Sequence, residues 1–271
     1  MHYLDEGQGE PVVMVHGNPS WCWLYRDLVA ELKSSHRCIV PDHIGMGLSD
    51  LPDDSRYRYT LDSRVADFTA LMDKLVPSGP VTLVMHDWGG AIASAWATRN
   101  PERVRRLVVF NTAAFPMLPG KRLPRTLKLV RNTRLGAFLV ERFNAFAVGA
   151  ARTGTVGALP AKVREGFLAP YDSPTARRAV LRFVQDIPLS EGDPAWSTIQ
   201  ATAAGLERLA DKPMLILWGL QDFVFDRDYF DEWCRRFPRA EAIAFNDAGH
   251  YVIEDARATI LPKVREFLAR S

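Results

Sequence analysis

Met85-His86-Asp87-Trp88-Gly89-Gly90 sets an acidic side chain between an apolar run and a small-residue stretch that reads as the start of a helix. A sharp turn from a buried strand into a helix exposes one side chain above the carboxyl edge of a sheet, a place suited to a nucleophile. Gly89 and Gly90 let such a turn stay tight. The apex residue is Asp87, and a carboxylate there can attack carbon and form a covalent ester. Taken alone, Asp87 also fits a plain helix N-cap, common for aspartate. Two later positions favour the nucleophile. Asp222 follows the apolar run 214–218, and His250 follows the run 242–245. Both then share a sheet edge with Asp87, where His250 activates water and Asp222 fixes its tautomer and charge. Asn18, in the turn His16-Gly17-Asn18-Pro19, offers a side-chain amide, and Trp88 offers an indole N–H. Two neutral donors beside a carboxylate suit a halide or a small anionic leaving group. A turn asparagine and a core tryptophan are their plainer alternatives. The remaining histidines make poorer bases. His2 and His36 lie near a terminus and in a loop, and His43 lies in a turn. His16 satisfies backbone groups at a strand end, and His86 points away from the apex.

The elements that must position these groups follow from periodicity. Short apolar runs at 12–16, 38–41, 81–86, 106–110, 214–218 and 242–245 read as strands, the first of them buried. Helical patterns lie over 26–33, 61–76, 89–100 and 260–269. Strand–helix alternation implies an α/β fold with a mostly parallel sheet and helices on both faces. The alternation breaks between 113 and 206, where the chain is helical in character. We expect a core from 1–112 and 207–271, with a helical cap at 113–206 inserted between two sheet strands.

Bulk properties narrow the function classes. The 271 residues are 47% hydrophobic and 24% charged, an ordinary globular balance. A net charge of +2 gives no field of the kind that drives nucleic-acid binding. Cys22, Cys38 and Cys234 are too widely spaced for a disulfide framework or a zinc site, and fit a reducing compartment. No metal or cofactor is expected. No apolar run reaches the roughly 18 residues of a membrane span, and the start lacks a signal-peptide pattern, so the expected location is cytoplasmic.

Beyond the residues themselves there is a resemblance. His16-Gly17-Asn18-Pro19-Ser20-Trp21, Pro41-Asp42-His43-Ile44-Gly45-Met46-Gly47-Leu48-Ser49 and His86-Asp87-Trp88-Gly89-Gly90 resemble the haloalkane dehalogenases, and the likeness runs over nearly the whole chain. It implies the α/β-hydrolase fold and the chain order nucleophile, acid, histidine. It also implies that Asp87 displaces a leaving group from an sp³ carbon, that His250-activated water cleaves the ester, and that Asn18 and Trp88 hold the departing halide. One branch of that family carries its acid as a glutamate after the strand before the cap. That position here is Asn111, which leaves Asp222 and makes the chain similar to the third subfamily. That subfamily includes the β-lactone decarboxylases of bacterial long-chain olefin biosynthesis. Asn111-Thr112-Ala113-Ala114-Phe115-Pro116, Phe143-Asn144-Ala145-Phe146, Ala169-Pro170-Tyr171-Asp172 and Gln185-Asp186-Ile187-Pro188-Leu189 resemble those decarboxylases over the cap, which normally sets substrate choice. The implied reaction gives olefin and CO₂ from a small apolar β-lactone, with side activity on haloalkanes. Family members usually carry a further N-terminal strand ahead of the segment that begins here at Met1, so the chain reads as a short or truncated form.

Three alternatives stay open. A haloalkane dehalogenase proper would use the same five residues. An epoxide hydrolase shares Asp87-Trp88 but needs cap tyrosines, and the cap holds only Tyr171. A non-catalytic receptor on the same fold would bind a small apolar ligand without turnover. One cap segment points to a partner. Lys121, Arg122, Arg125, Lys128, Arg131 and Arg134 recur at about three-residue intervals among Leu123, Leu127, Leu129 and Val130. Such a segment suits an anionic lipid surface or an acidic partner enzyme, or a solvated cap helix whose apolar stripe faces the pocket.

Overall fold

A computed structural model of the chain describes residues 1–270. The first half runs β1 (Tyr3–Glu6), β2 (Glu10–Val15), α1 (Arg26–Leu32), β3 (His36–Pro41), α2 (Leu61–Leu75), β4 (Val81–Met85), α3 (Trp88–Arg99) and β5 (Val104–Phe110). Six helices follow: α4 (Arg125–Asn132), α5 (Arg134–Phe143), α6 (Ala145–Thr153), α7 (Ala161–Leu168), α8 (Arg178–Gln185) and α9 (Trp196–Gly205). The chain closes with β6 (Met214–Gly219), α10 (Arg227–Arg236), β7 (Glu241–Phe245), α11 (Val252–Asp255) and α12 (Arg257–Leu268).

The strands form one seven-stranded sheet in the order β1-β3-β2-β4-β5-β6-β7. Every neighbouring pair is parallel except β1 with β3, whose register sets Tyr3 opposite Pro41. Parallel strands are covered on both faces, which is why their sequences read as unbroken apolar runs. β4 shows the sorting. Leu83 and Met85 pack with Phe68, Ile92 and Trp233 on the α2/α3/α10 side, while Val84 packs with Leu28, Ile260 and Val264 on the α1/α12 side.

Three elements escape the sequence patterns: β1, α10 and the single turn of α11. β1 is a four-residue edge strand ending in exposed Asp5 and Glu6, so it carries no apolar run. Helix α10 buries Tyr229, Phe230 and Trp233 but is otherwise charged apart from Cys234. Strand β4 stops at Met85 and β5 starts at Val104, one or two residues from the expected bounds. Among the described residues, no helix is long and apolar enough to cross a membrane.

Because β2, β4, β5, β6 and β7 all run the same way, their carboxyl ends share one edge, and the loops leaving them converge there. Helices α4 to α9 lie over that edge. Trp21 Nε1 donates to the Gly166 carbonyl at 2.9 Å, Trp23 Nε1 to Val163 at 3.2 Å and Tyr171 Oη to Ser20 at 3.2 Å, tying them to the loop after β2.

Candidate active site

Asp87 stands at the N-cap position of α3, yet its side chain makes no capping bond. Its backbone has φ 51° and ψ −129°, a left-handed φ that is strained for any residue but glycine. Asp87 N–H donates to the Asn111 carbonyl at 2.9 Å, and the Thr112 hydroxyl donates to the Asp87 carbonyl, so β5 holds the turn in this shape. The side chain is thereby aimed off the helix. Gly17 makes room for it, since a Cβ there would overlap the Asp87 carboxylate.

The two carboxylate oxygens have different surroundings. Oδ1 accepts the Asn18 backbone N–H at 2.6 Å, and the Trp88 backbone N–H also donates to the carboxylate. Oδ2 lies 3.9 Å from His250 Nε2, too far for a direct hydrogen bond. Burial pushes the Asp87 carboxyl up, against the opposing pull of His250 and of the two N–H donors.

His250 follows β7 and Asp222 follows β6. His250 Nδ1–H donates to Asp222 Oδ2 at 2.7 Å, which leaves Nε2 facing Asp87. Burial works against a charged His250, but the neighbouring Asp222 and Asp87 outweigh it and hold its pKa above the ordinary value. Burial would raise Asp222. Instead, the charge of His250, its hydrogen bond and the N–H groups of Val224 and Phe225 hold that carboxyl below its usual range. The structure thus brings Asp87, His250, Asp222, Asn18 and Trp88 together around one cavity.

Asn18 departs from the simple donor expected of it. Its Nδ2 donates to the Val180 carbonyl of α8 at 3.1 Å, while its Oδ1 is buried without a partner. Only the second hydrogen of that amide remains for a ligand. The Trp88 ring lines the cavity and packs on Phe183 of α8 at 5.4 Å.

Other residues contribute in ways the sequence does not signal. Asn111 Nδ2 donates to Asp222 Oδ2 at 3.1 Å and to the Gly219 carbonyl at 2.8 Å, while its Oδ1 accepts the Gly219 N–H at 2.8 Å. The residue that cannot be the acid therefore braces the residue that can. His86 Nε2–H donates to the His250 carbonyl at 2.8 Å, and burial drives the His86 pKa down to about 3, so it stays neutral. Tyr229 reaches the cavity from α10, outside helices α4 to α9, whereas Tyr171 is buried on Ser20 and does not line it.

The cavity has a volume of about 450 Å³ and is otherwise almost wholly apolar. Leu127 and Val130 of α4, Phe146 of α6, and Val184 and Ile187 at the end of α8 form much of its wall. His2, Cys22 and Asp42 also come together, near the start of β1. Asp42 already accepts His2 Nδ1, the Cys22 N–H and the Leu48 N–H, and burial pushes the Cys22 thiol up, so this cluster is a structural tie rather than a metal centre.

This arrangement can form and break an ester at a buried carboxylate. The sequence profile described as the α/β hydrolase fold matches residues 10–256. The chain is 49% identical to the cis-3-alkyl-4-alkyloxetan-2-one decarboxylase of Xanthomonas campestris, over 100% of this chain and 93% of that protein. It is 50% identical to the Shewanella oneidensis protein of the same name, over 100% of this chain and 86% of that one. Haloalkane dehalogenase 2 of Mycobacterium bovis is 30% identical, over 98% of this chain and 90% of that protein. Among solved structures, the haloalkane dehalogenase DatA of Agrobacterium tumefaciens superposes with a TM-score of 0.84 at 27% identity, over 99% of this chain and 92% of that one. The chain belongs to the α/β-hydrolase fold family, among relatives that are haloalkane dehalogenases and, at higher identity, cis-3-alkyl-4-alkyloxetan-2-one decarboxylases.

Proposed function

We propose that this chain is a β-lactone decarboxylase that turns a small, apolar, lipid-like lactone into an olefin and CO₂ through a covalent ester on Asp87. The observation that carries the reading is the split environment of the Asp87 carboxylate. The carboxylate is pinned by the backbone N–H groups of Asn18, at Oδ1, and of Trp88, while Oδ2 faces His250 Nε2 across 3.9 Å beside an apolar cavity. The half-identity to proteins named for this reaction supports it.

The electrons balance without a co-reactant. Asp87 Oδ2 attacks the sp³ ring carbon that bears oxygen, and the strained C–O bond breaks. The ring oxygen becomes part of a free carboxylate, which the Asn18 amide and the Trp88 indole N–H can hold as they would a halide. That carboxylate then leaves as CO₂. The electron pair of the broken C–C bond forms the alkene, and the Asp87 ester oxygen departs with its own pair. No water is consumed. His250, whose pKa the neighbouring Asp222 raises, stabilises in its imidazolium form the carboxylate regenerated at Asp87.

The same residues support dehalogenation as a second reading, favoured by the 3.9 Å between His250 and Asp87, which lets a water activated by His250 attack the ester. An epoxide hydrolase is disfavoured, because Tyr171 is spent on Ser20. A non-catalytic receptor would leave the strain at Asp87 without purpose. Three free cysteines fit a reducing, cytoplasmic setting.

The test is intact mass and product analysis. His250→Ala incubated with a 1-bromoalkane should gain one alkyl group on Asp87, and wild type fed a long-chain cis-β-lactone should release alkene and CO₂. A β-hydroxy acid as the product would sink the decarboxylase reading, and an unmodified His250→Ala protein would sink Asp87 as nucleophile.

A further inference from the structure

The fold divides the basic segment of the cap. Lys121 is paired with Asp226 and Asp228, each at 2.5 Å. Arg131 is paired with Asp193 at 2.5 Å and donates from Nε to the Ile187 carbonyl at 3.1 Å. Arg122, Arg125, Lys128 and Arg134 remain exposed and form no ion pair among the described residues. Helix α5 adds exposed Arg142. No acidic residue occurs between Glu102 and Glu141.

Among these cations lies an apolar ridge. Leu135 is 59% exposed, Phe138 51% and Phe143 65%, and the two phenylalanine rings meet edge to face at 5.6 Å. Leu135, Phe138 and Arg142 fall at helical spacing and share one face of α5. Gly136 seats that helix directly on α4, since a Cβ there would run into the Leu129 carbonyl. Leu129 is itself 39% exposed and lines the active-site cavity. Ridge, cations and cavity wall are therefore parts of one continuous face.

We propose that the α4–α5 face docks on an anionic lipid bilayer. The Leu135–Phe138–Phe143 ridge enters the boundary between headgroups and acyl chains, and the flanking arginines and Lys128 lie over the lipid phosphates. Large apolar side chains ringed by long cations are the pattern of an interfacial helix. The cationic stems can bend toward the headgroups while their alkyl parts cover the ridge. A protein partner is the weaker candidate, because the cavity that shares this face is built for a compound that dissolves in lipid. The inference rests on the apolar cavity of the proposed function for its purpose, but its test needs no turnover.

Full-length protein is sedimented with vesicles of phosphatidylcholine alone and of phosphatidylcholine mixed with phosphatidylglycerol, at low and high salt. Binding should require phosphatidylglycerol and weaken with salt. R125E/K128E/R134E should weaken it by roughly a hundredfold. L135S/F138S should weaken it with no change of net charge. Circular dichroism and turnover of a short 1-bromoalkane in detergent-free buffer check that both variants remain folded. The proposal is overturned if wild type ignores anionic vesicles, or if either variant binds as wild type does. It is overturned too if wild type is a dimer that L135S/F138S converts to monomer, since the face then belongs to a second copy.

Discussion

At Asp87 a left-handed φ of 51° costs about 1–3 kcal/mol for a residue with a Cβ, and the bonds from Asn111 and Thr112 hold it there. That strain aims the carboxylate at the cavity instead of at the helix it would otherwise cap. The state of His250 then separates two chemistries at the same carboxylate. Its pKa is raised, and it is charged below that value and neutral above it. Haloalkane turnover needs the neutral base, so its rate should fall as pH drops through the raised pKa. Lactone decarboxylation draws on the imidazolium, so its rate should fall as pH rises through the same value. Asp222→Asn removes the main charge that raises His250. Both limbs should move to lower pH, and haloalkane turnover should fall by up to about ten-thousand-fold as the tautomer is lost. Two pH–rate profiles on one enzyme check this, and limbs of the same sign would contradict the assignment of roles.

At the scale of elements, α8 is the helix of the α4–α9 segment that sets the site. Its Val180 carbonyl fixes the Asn18 amide, and its Phe183 packs on Trp88. The helix is held to the core at its far end by Asp186, which accepts the Leu61 N–H at 2.5 Å and meets Arg64 Nη1 at 3.4 Å. Arg64 is fully buried, with its guanidinium 3.6 Å above the Phe183 ring and with Nε and Nη2 unpartnered. Burial raises Asp186 to about 6 and lowers Arg64 to about 10, so each depends on the other to stay charged. Asp186→Asn strands the arginine and should cost about 3 kcal/mol, with a matching loss of catalytic rate as α8 shifts. Arg64→Met combined with Asp186→Asn should recover most of the stability. Denaturant melts of the two single variants and the double variant test this, and additive losses would show that the pair is not a unit.

At the scale of the molecule, what was legible in the sequence and what was not divide on physical lines. The parallel strands were visible because burial on both faces leaves unbroken apolar runs, as in β4 and β6. Asp87, Asp222 and His250 could be picked out because each follows such a run. Edge strand β1 could not, since pairing with β3 alone asks for no apolar pattern. The brace from Asn111 to Asp222, the hold of Val180 on Asn18 and the Arg64–Asp186 tie join residues more than 100 positions apart, and no local pattern marks them. One feature at Asp87 also bears on selectivity. The N–H groups of Asn18 and Trp88 are the kind of donors that polarise the carbonyl oxygen of an ester, but the enzyme's own Asp87 carboxylate already takes both. The site is therefore occupied by itself and blind to acyl transfer. An enzyme resting on a membrane would be surrounded by ester bonds in vast excess over lactone, and this self-occupancy would let it pass them by. A long-chain methyl ester mixed with lactone should compete weakly for the cavity and release no fatty acid. Acid release that disappears in Asp87→Ala would show the two donors to be open after all.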